Sequence, residues 1–457
     1  MHGRLLVLAL ALVAVAGCVT PPSPAASPAG IADAAARFAP SVAVSKAAPG
    51  AEPVIASLPD GTLFVEGVGS DGTQNVNKVF RSTDQGKTWS DVTPPAIGED
   101  RSNDGFLAVG NGGTVYASNV FSLTLQMFAS ADKGATWTPV PAPHVPAAMH
   151  RHWILPVGDS TIHLAMEALP PSYAGRLAGL PPVDAAPATP NQGMWYARSD
   201  DKGQTWTTPV QIDPNVNFAG QGNMVVSADG KFLAVLRYEE KQSSPLTPTY
   251  EKGHWYLISS EDGGATWKRT EAFDLTSTLA AALPSTAIDA QGNLYAVWSQ
   301  EVNGTSRLQL AHSPDHGKTW HLRALDVGPS GAQAMPWIAN KGNGTLGVMW
   351  YQASLPGQAS KIDATWDGFY ADLLDAATAP HAGAAYDVAP GLHKGNICAR
   401  GPACSGPEDR RLLDYPWITL GPKGQADLVF ASTEGGSGVS AYAVTAVEKA
   451  LPGSASR

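Results

Sequence analysis

Two near-copies of one short pattern gather charge in this chain. Glu99-Asp100-Arg101-Ser102-Asn103-Asp104 and Glu408-Asp409-Arg410-Arg411-Leu412-Leu413-Asp414 each set arginine among carboxylates, and each runs into an apolar stretch. Such groups can hold a polar ligand between guanidinium donors and carboxylate acceptors, or pair with one another and brace a loop. His144, His150 and His152 fall at even spacing, which on a strand places them on one face. No acidic residue stands at fixed spacing beside them, so neither a metal nor another cofactor is expected. No Gly-rich phosphate loop leading into a helix and no Gly-x-Ser-x-Gly elbow occurs.

The elements that must carry these residues are short strands. Across 457 residues the 44% apolar content comes in brief alternating runs, with 47 Gly and 37 Pro between them, a pattern of strands and tight turns. Seven pairs of apolar runs recur, from Pro53–Ala56 with Leu63–Val65 to Pro416–Ile418 with Ala426–Phe430. Between them stand five ungapped copies of one octet: Ser82-Thr83-Asp84-Gln85-Gly86-Lys87-Thr88-Trp89, and its equivalents ending at Trp137, Trp206, Trp267 and Trp320. In each, an Asp (Asp84, Asp132, Asp201, Asp262, Asp315) can accept backbone N–H groups across a turn and a Gly can take positive φ. The Trp can then pack under the turn or between sheets.

The octet resembles the Asp box, or bacterial neuraminidase repeat, of the sialidase superfamily. The resemblance covers roughly residues 40–447 and implies a β-propeller, with each box joining the third and fourth strands of a blade on the face away from the active site. A pair of runs plus a box hairpin makes one four-stranded blade, so the fold expected is all-β, a seven-bladed propeller. Six blades is the alternative, because sialidases have six. Ser41–Ser45 is placed to supply the missing fourth strand of the last blade and close the ring.

The resemblance also implies where chemistry would sit: the mouth formed by the starts of the inner strands and the ends of the second strands. A sialidase needs three arginines on a carboxylate, a Tyr nucleophile with a Glu beside it, and an Asp acid/base. Candidates at the matching places are Arg151, Arg237 and Arg410 or Arg411 for the cluster, Tyr415 or Tyr238 as nucleophile, Glu239 or Glu167 as its base, and Asp104 or Asp414 as acid. Where the family carries its first-blade Arg, this chain reads Ala51-Glu52-Pro53, and a Glu there repels a substrate carboxylate.

Compartment is read from the first residues. Arg4, the apolar stretch Leu5–Ala16 and Val15-Ala16-Gly17-Cys18 resemble a bacterial lipoprotein signal with Cys18 as the acylated residue. The expected division is a signal over 1–17, a Pro/Ser/Ala tether over 18–37, one propeller over 38–450 and a tail over 451–457. In an exported chain Cys398 and Cys404 form a short-loop disulfide. The net charge of −10 with no basic run argues against nucleic acid as a partner. The function expected is an extracytoplasmic, lipid-anchored, monomeric propeller that binds or hydrolyses glycans at its mouth. The alternative is a non-catalytic propeller docking an envelope protein.

Overall fold

A computed structural model describes residues 30–70, 74–99, 102–121, 124–145, 148–169, 192–214, 221–240, 253–281, 283–401, 404 and 406–450. It is a seven-bladed β-propeller. From the inner strand outward, blade one is Ala51–Ser57, Leu63–Ser70, Asn75–Ser82 and Ser90–Asp91. Blades two to five follow the same antiparallel meander, with inner strands Ser102–Val109, Ala148–Val157, Val225–Val226 and Ser285–Ile288. Blade six, Gln333–Gly342 through His381–Gly395, gains a fifth strand from Ile31–Ala32, parallel to its outer edge. Blade seven has Trp417–Leu420, Ala426–Ser432 and Tyr442–Val447 from the C-terminal end, and Val42–Ala43 completes it, pairing Val42 with Thr445. The expected closing strand is therefore in place, and six blades is excluded.

The propeller takes in more of the N-terminal segment than a tether ending at 37 implies. Phe38 is buried, and the Arg37 guanidinium lies 5.2 Å from the rings of both Tyr370 and Tyr386. The same guanidinium bridges Asp372 of blade six, at 2.6 Å, to Glu448 beyond blade seven. One residue thus pins the N-terminal segment across the junction of blades six and seven. Residues 1–29, with Cys18, lie outside the described residues, and among those described no helix is long and apolar enough to cross a membrane.

All five octets form the turn between third and fourth strands. In the first, Asp84 Oδ1 accepts from the Thr88 amide at 2.9 Å and Oδ2 from the Thr88 hydroxyl at 2.6 Å, while Ser82 Oγ accepts the Gly86 amide at 2.9 Å. The others repeat these bonds through Asp132, Asp201, Asp262 and Asp315. The indoles divide. Trp89, Trp267 and Trp320 donate to their own turn's glycine carbonyl. Trp137 and Trp206 reach the carbonyls of Val92 and Pro141 in the preceding connection, so they stitch neighbouring blades.

Along the axis the inner strands meet in a plug of rings. Trp337 and Trp417 have centroids 4.9 Å apart, Trp337 and Tyr415 5.1 Å, and Phe106 meets Trp417 edge-on at 5.2 Å. On the Asp-box side of these rings lies a cavity of about 410 Å³ lined by inner strands of all seven blades. On the other side is the mouth.

Candidate functional site: a bulged polar floor at the mouth

Four inner strands break register at their mouth ends. The pairing with the second strand slips between Ala51 and Val54, Asn103 and Phe106, Met149 and His152, and Ala334 and Trp337. An extra residue in one strand bends it and re-aims a side chain. The residues in the gaps include Glu52, Asp104, His150, Arg151 and Met335, and Glu52, Asp104 and Met335 have φ of +44°, +37° and +47°. Side chains at such angles cost roughly 1–3 kcal/mol each and persist where surroundings hold them.

Here the surroundings are one another. Arg151, 3% exposed, donates from Nη2 to Asp414 Oδ2 at 2.9 Å and to Glu52 Oε1 at 3.4 Å. Its guanidinium carbon sits 5.6 Å from the Tyr415 ring centre. Arg410 grips both Asp414 oxygens through its two terminal nitrogens. His150 lies between Glu167, 3.0 Å from Nδ1, and Asp104, 3.4 Å from Nε2. Blades one, two, three and seven thus contribute to one floor of four carboxylates, two guanidiniums and one imidazole.

Its protonation is uneven. Burial, then the neighbouring Asp414 and Asp104, keep the Glu52 carboxyl well above the usual carboxylate range despite Arg151. Burial would raise Asp414 too, but Arg410 and Arg151 outweigh it and hold that carboxyl well below the usual range. Burial lowers His150, yet Asp104 and Glu167 prevail and raise it. His152, whose Nε2 lies 2.6 Å from the Ser118 hydroxyl, is driven to about 3 by burial and by Arg151 and His150, so it stays neutral. Burial and Glu52 push the Tyr415 phenol well above its ordinary value, the reverse of what a phenolate nucleophile requires.

Of the expected residues, Asp104, Arg151, Glu167, Arg410, Asp414 and Tyr415 meet here, while Arg411 turns to Asp409. Arg237, Tyr238 and Glu239 do not. They lie on the second strand of blade four, a strand spacing farther from the axis, where side chains point between blades. Arg237 donates to Asp213 Oδ2 at 3.0 Å, Tyr238 packs 5.5 Å from Trp255, and Glu239 pairs with Arg269. The three-arginine cluster of a sialidase is therefore not assembled from these residues: two arginines converge, and both already pair with Asp414.

The near-copies part company as well. Asp100 and Arg101 lie outside the described residues. In the second copy Arg411 pairs with Asp409, Arg400 with Glu408 at 2.8 Å, and Arg410 with Asp414, so it braces its loop while delivering Arg410 to the floor. The disulfide Cys398–Cys404 staples that loop. Its sulfurs lie within metal-ligand reach of Glu408, but as a disulfide they offer no thiolate. The bulges were the feature sequence reasoning missed. The signal was there: Glu52-Pro53, Asp104-Gly105 and Met335-Pro336 place Pro or Gly inside inner strands, where a regular ladder disfavours both.

A family model for the BNR repeat-like domain matches residues 95–348, and one for the BNR/Asp-box repeat matches 80–91. A comparison with curated proteins finds no match in sequence. Among solved structures, the endosialidase of phage phi92 is 12% identical with a TM-score of 0.50, covering 92% of this chain and 70% of its own. A protein of unknown function from Dyadobacter fermentans is 17% identical, TM-score 0.48, over 91% and 99%. The NanB sialidase of Streptococcus pneumoniae is 12% identical, TM-score 0.43, over 89% and 69%. Identities this low speak to fold alone. With the family match spanning more than half its length and five box turns in place, the chain belongs to the BNR repeat-like domain family and is built as an Asp-box β-propeller.

Proposed function

We propose that this protein is a cell-envelope propeller that binds glycans at its mouth, held to the membrane through an acylated Cys18. The observation that carries the glycan reading is the bulged floor. Polar side chains from four blades converge at the mouth ends of the inner strands, and buried Arg151 Nε and Nη1 have no hydrogen-bond partner among the described residues. Buried polar groups of this kind are completed by water or by a ligand, and saccharides bring the hydroxyls to do so. Endosialidase activity, which the phage phi92 neighbour's name states, is not carried over, because Asp414 and Glu52 already occupy the arginine cations that a sialic acid carboxylate would seek.

A hydrolytic reading of the same floor has one observation in its favour: Glu52 retains its proton while Asp414 stays ionised. That partition suits one carboxyl to act as acid and the other as anionic stabiliser. Glycan-array binding of the purified protein, run beside a panel of aryl glycosides, tests both. Binding that Asp104→Asn weakens supports the site, and turnover that Glu52→Gln abolishes supports hydrolysis. An array on which the wild-type protein retains nothing refutes the glycan reading.

A further inference from the structure

The cavity on the Asp-box side of the axis has a shape that follows from strand alternation. Phe106, Trp153, Trp337 and Trp417 bring their rings together at the axis, and the residues two further along each strand share that face. Those residues are Ala108, Leu155, Ala339 and Thr419. Large rings are thus followed by smaller side chains, and the axis that is filled at one level stands empty at the next, over about 410 Å³. Pockets for small molecules run from roughly 300 to 1,000 Å³. Burial is graded along the cavity: Phe106 and Trp153 at its base are buried, whereas Leu155, Val226, Ile288, Asn340 and Thr419 toward the Asp-box face are half-buried. It therefore reaches solvent on that face.

We infer that this cavity is a second binding site, separate from the mouth, which takes a small uncharged aromatic molecule. No charged side chain lines it among the described residues, and its amide side chains are engaged within the fold. Asn223 Nδ2 donates to the Thr286 carbonyl at 2.9 Å, Asn223 Oδ1 accepts the Thr286 amide at 2.8 Å, and the Thr286 hydroxyl donates to the Asn223 carbonyl at 2.6 Å. Asn340 Nδ2 donates to the Ile288 carbonyl at 3.1 Å, and its Oδ1 accepts the Gly342 amide at 2.8 Å. These bonds tie blades four, five and six together, so the groups that could recognise a polar guest are spent. A charged guest would give up its water and meet no counter-ion. An apolar guest displaces water that such a lining holds poorly, and a flat ring meets the rings of Phe106, Trp153 and Trp417 at the base. The ring plug separates this cavity from the floor, so the inference stands or falls independently of glycan binding at the mouth.

Prodan, an uncharged naphthyl ketone whose emission shifts to the blue on leaving water, reports entry. Titrated with the full-length protein, it should bind saturably and one-to-one. Methyl naphthyl ketone should displace it at least tenfold more effectively than naphthoate or naphthylmethylammonium, which carry the same rings with a charge. Ala339→Phe and Ala108→Leu fill the cavity from two blades, and each should weaken Prodan at least tenfold, with thermal melts showing that the variants fold. Leu322→Ser trims an exposed leucine on the outer strand of blade five and should leave the affinity unchanged. Where neither filled variant folds, the competitor series decides. Absence of saturable Prodan binding, charged competitors as effective as the ketone, or wild-type affinity in a folded, filled variant overturns the inference.

Discussion

Glu66 offers the most direct test of the electrostatic reading of this fold. It lies on the second strand of blade one, 1% exposed, with Oε1 accepting from Asn77 Nδ2 at 3.0 Å and Oε2 without a partner among the described residues. The backbone of blade two closes over it at Gly105, where an added Cβ would fall 2.0 Å from Oε1. Burial pushes its carboxyl up to about 8 from an ordinary 4.5, against the smaller pull of Asn77. The native state therefore holds a proton that the unfolded chain has lost between these two values. Stability from this group is complete below about 4.5 and falls as pH rises toward 8, by ~1.4 kcal/mol per unit, or ~4–5 kcal/mol at the upper limit. Glu66→Gln keeps the acceptor for Asn77 and removes the titration. Urea unfolding of both proteins at pH 5 and pH 8 should find them close at pH 5 and the variant more stable by several kcal/mol at pH 8. Asp427 is also raised to about 8, by burial and then Glu448, and its slope is common to both proteins, so it cancels in the difference. Parallel profiles for the two proteins would refute the assignment of a buried, protonated Glu66.

Asp414→Asn strips the ionised partner from both Arg151 and Arg410 and should cost ~3–5 kcal/mol in urea unfolding, the penalty of a buried pair broken on one side. Arg410→Gln, at a side chain 28% exposed, should cost far less. At the other end of the chain, metabolic labelling with a fatty acid should mark the wild-type protein and not Cys18→Ser. Label retained by the variant would dismiss the anchor.

The blades were legible because their signals are local. An Asp-box turn needs Asp, Gly, Thr and Trp at fixed offsets for its own hydrogen bonds, so five such turns announce five hairpins whatever surrounds them. The closing strand, Val42–Ala43, was legible because a ring with a missing strand leaves an unpaired edge. The floor was legible only in part. Asp104, Arg151, Asp414 and Tyr415 stand at inner-strand starts, which topology alone brings to the axis. Arg237, Tyr238 and Glu239 are just as polar and just as near the mouth in sequence, but they lie one strand out. What a second-strand side chain meets depends on the neighbouring blade, as where Arg237 meets Asp213 of blade three, and no spacing within the segment encodes that.

Glu52 shows how a single departure from the family pattern redirects the site. An arginine there would make a third cation beside Arg151 and Arg410, and the floor would call for an anion. A glutamate turned inward by the bulge before Pro53 instead adds a carboxyl that Arg151 meets at 3.4 Å, and Asp414 binds both guanidiniums. The fold, the box turns and the convergence of inner strands all survive the exchange. The charge of the floor does not, because Arg151 and Arg410 now meet a carboxylate of Asp414 and a carboxyl of Glu52 within the chain itself.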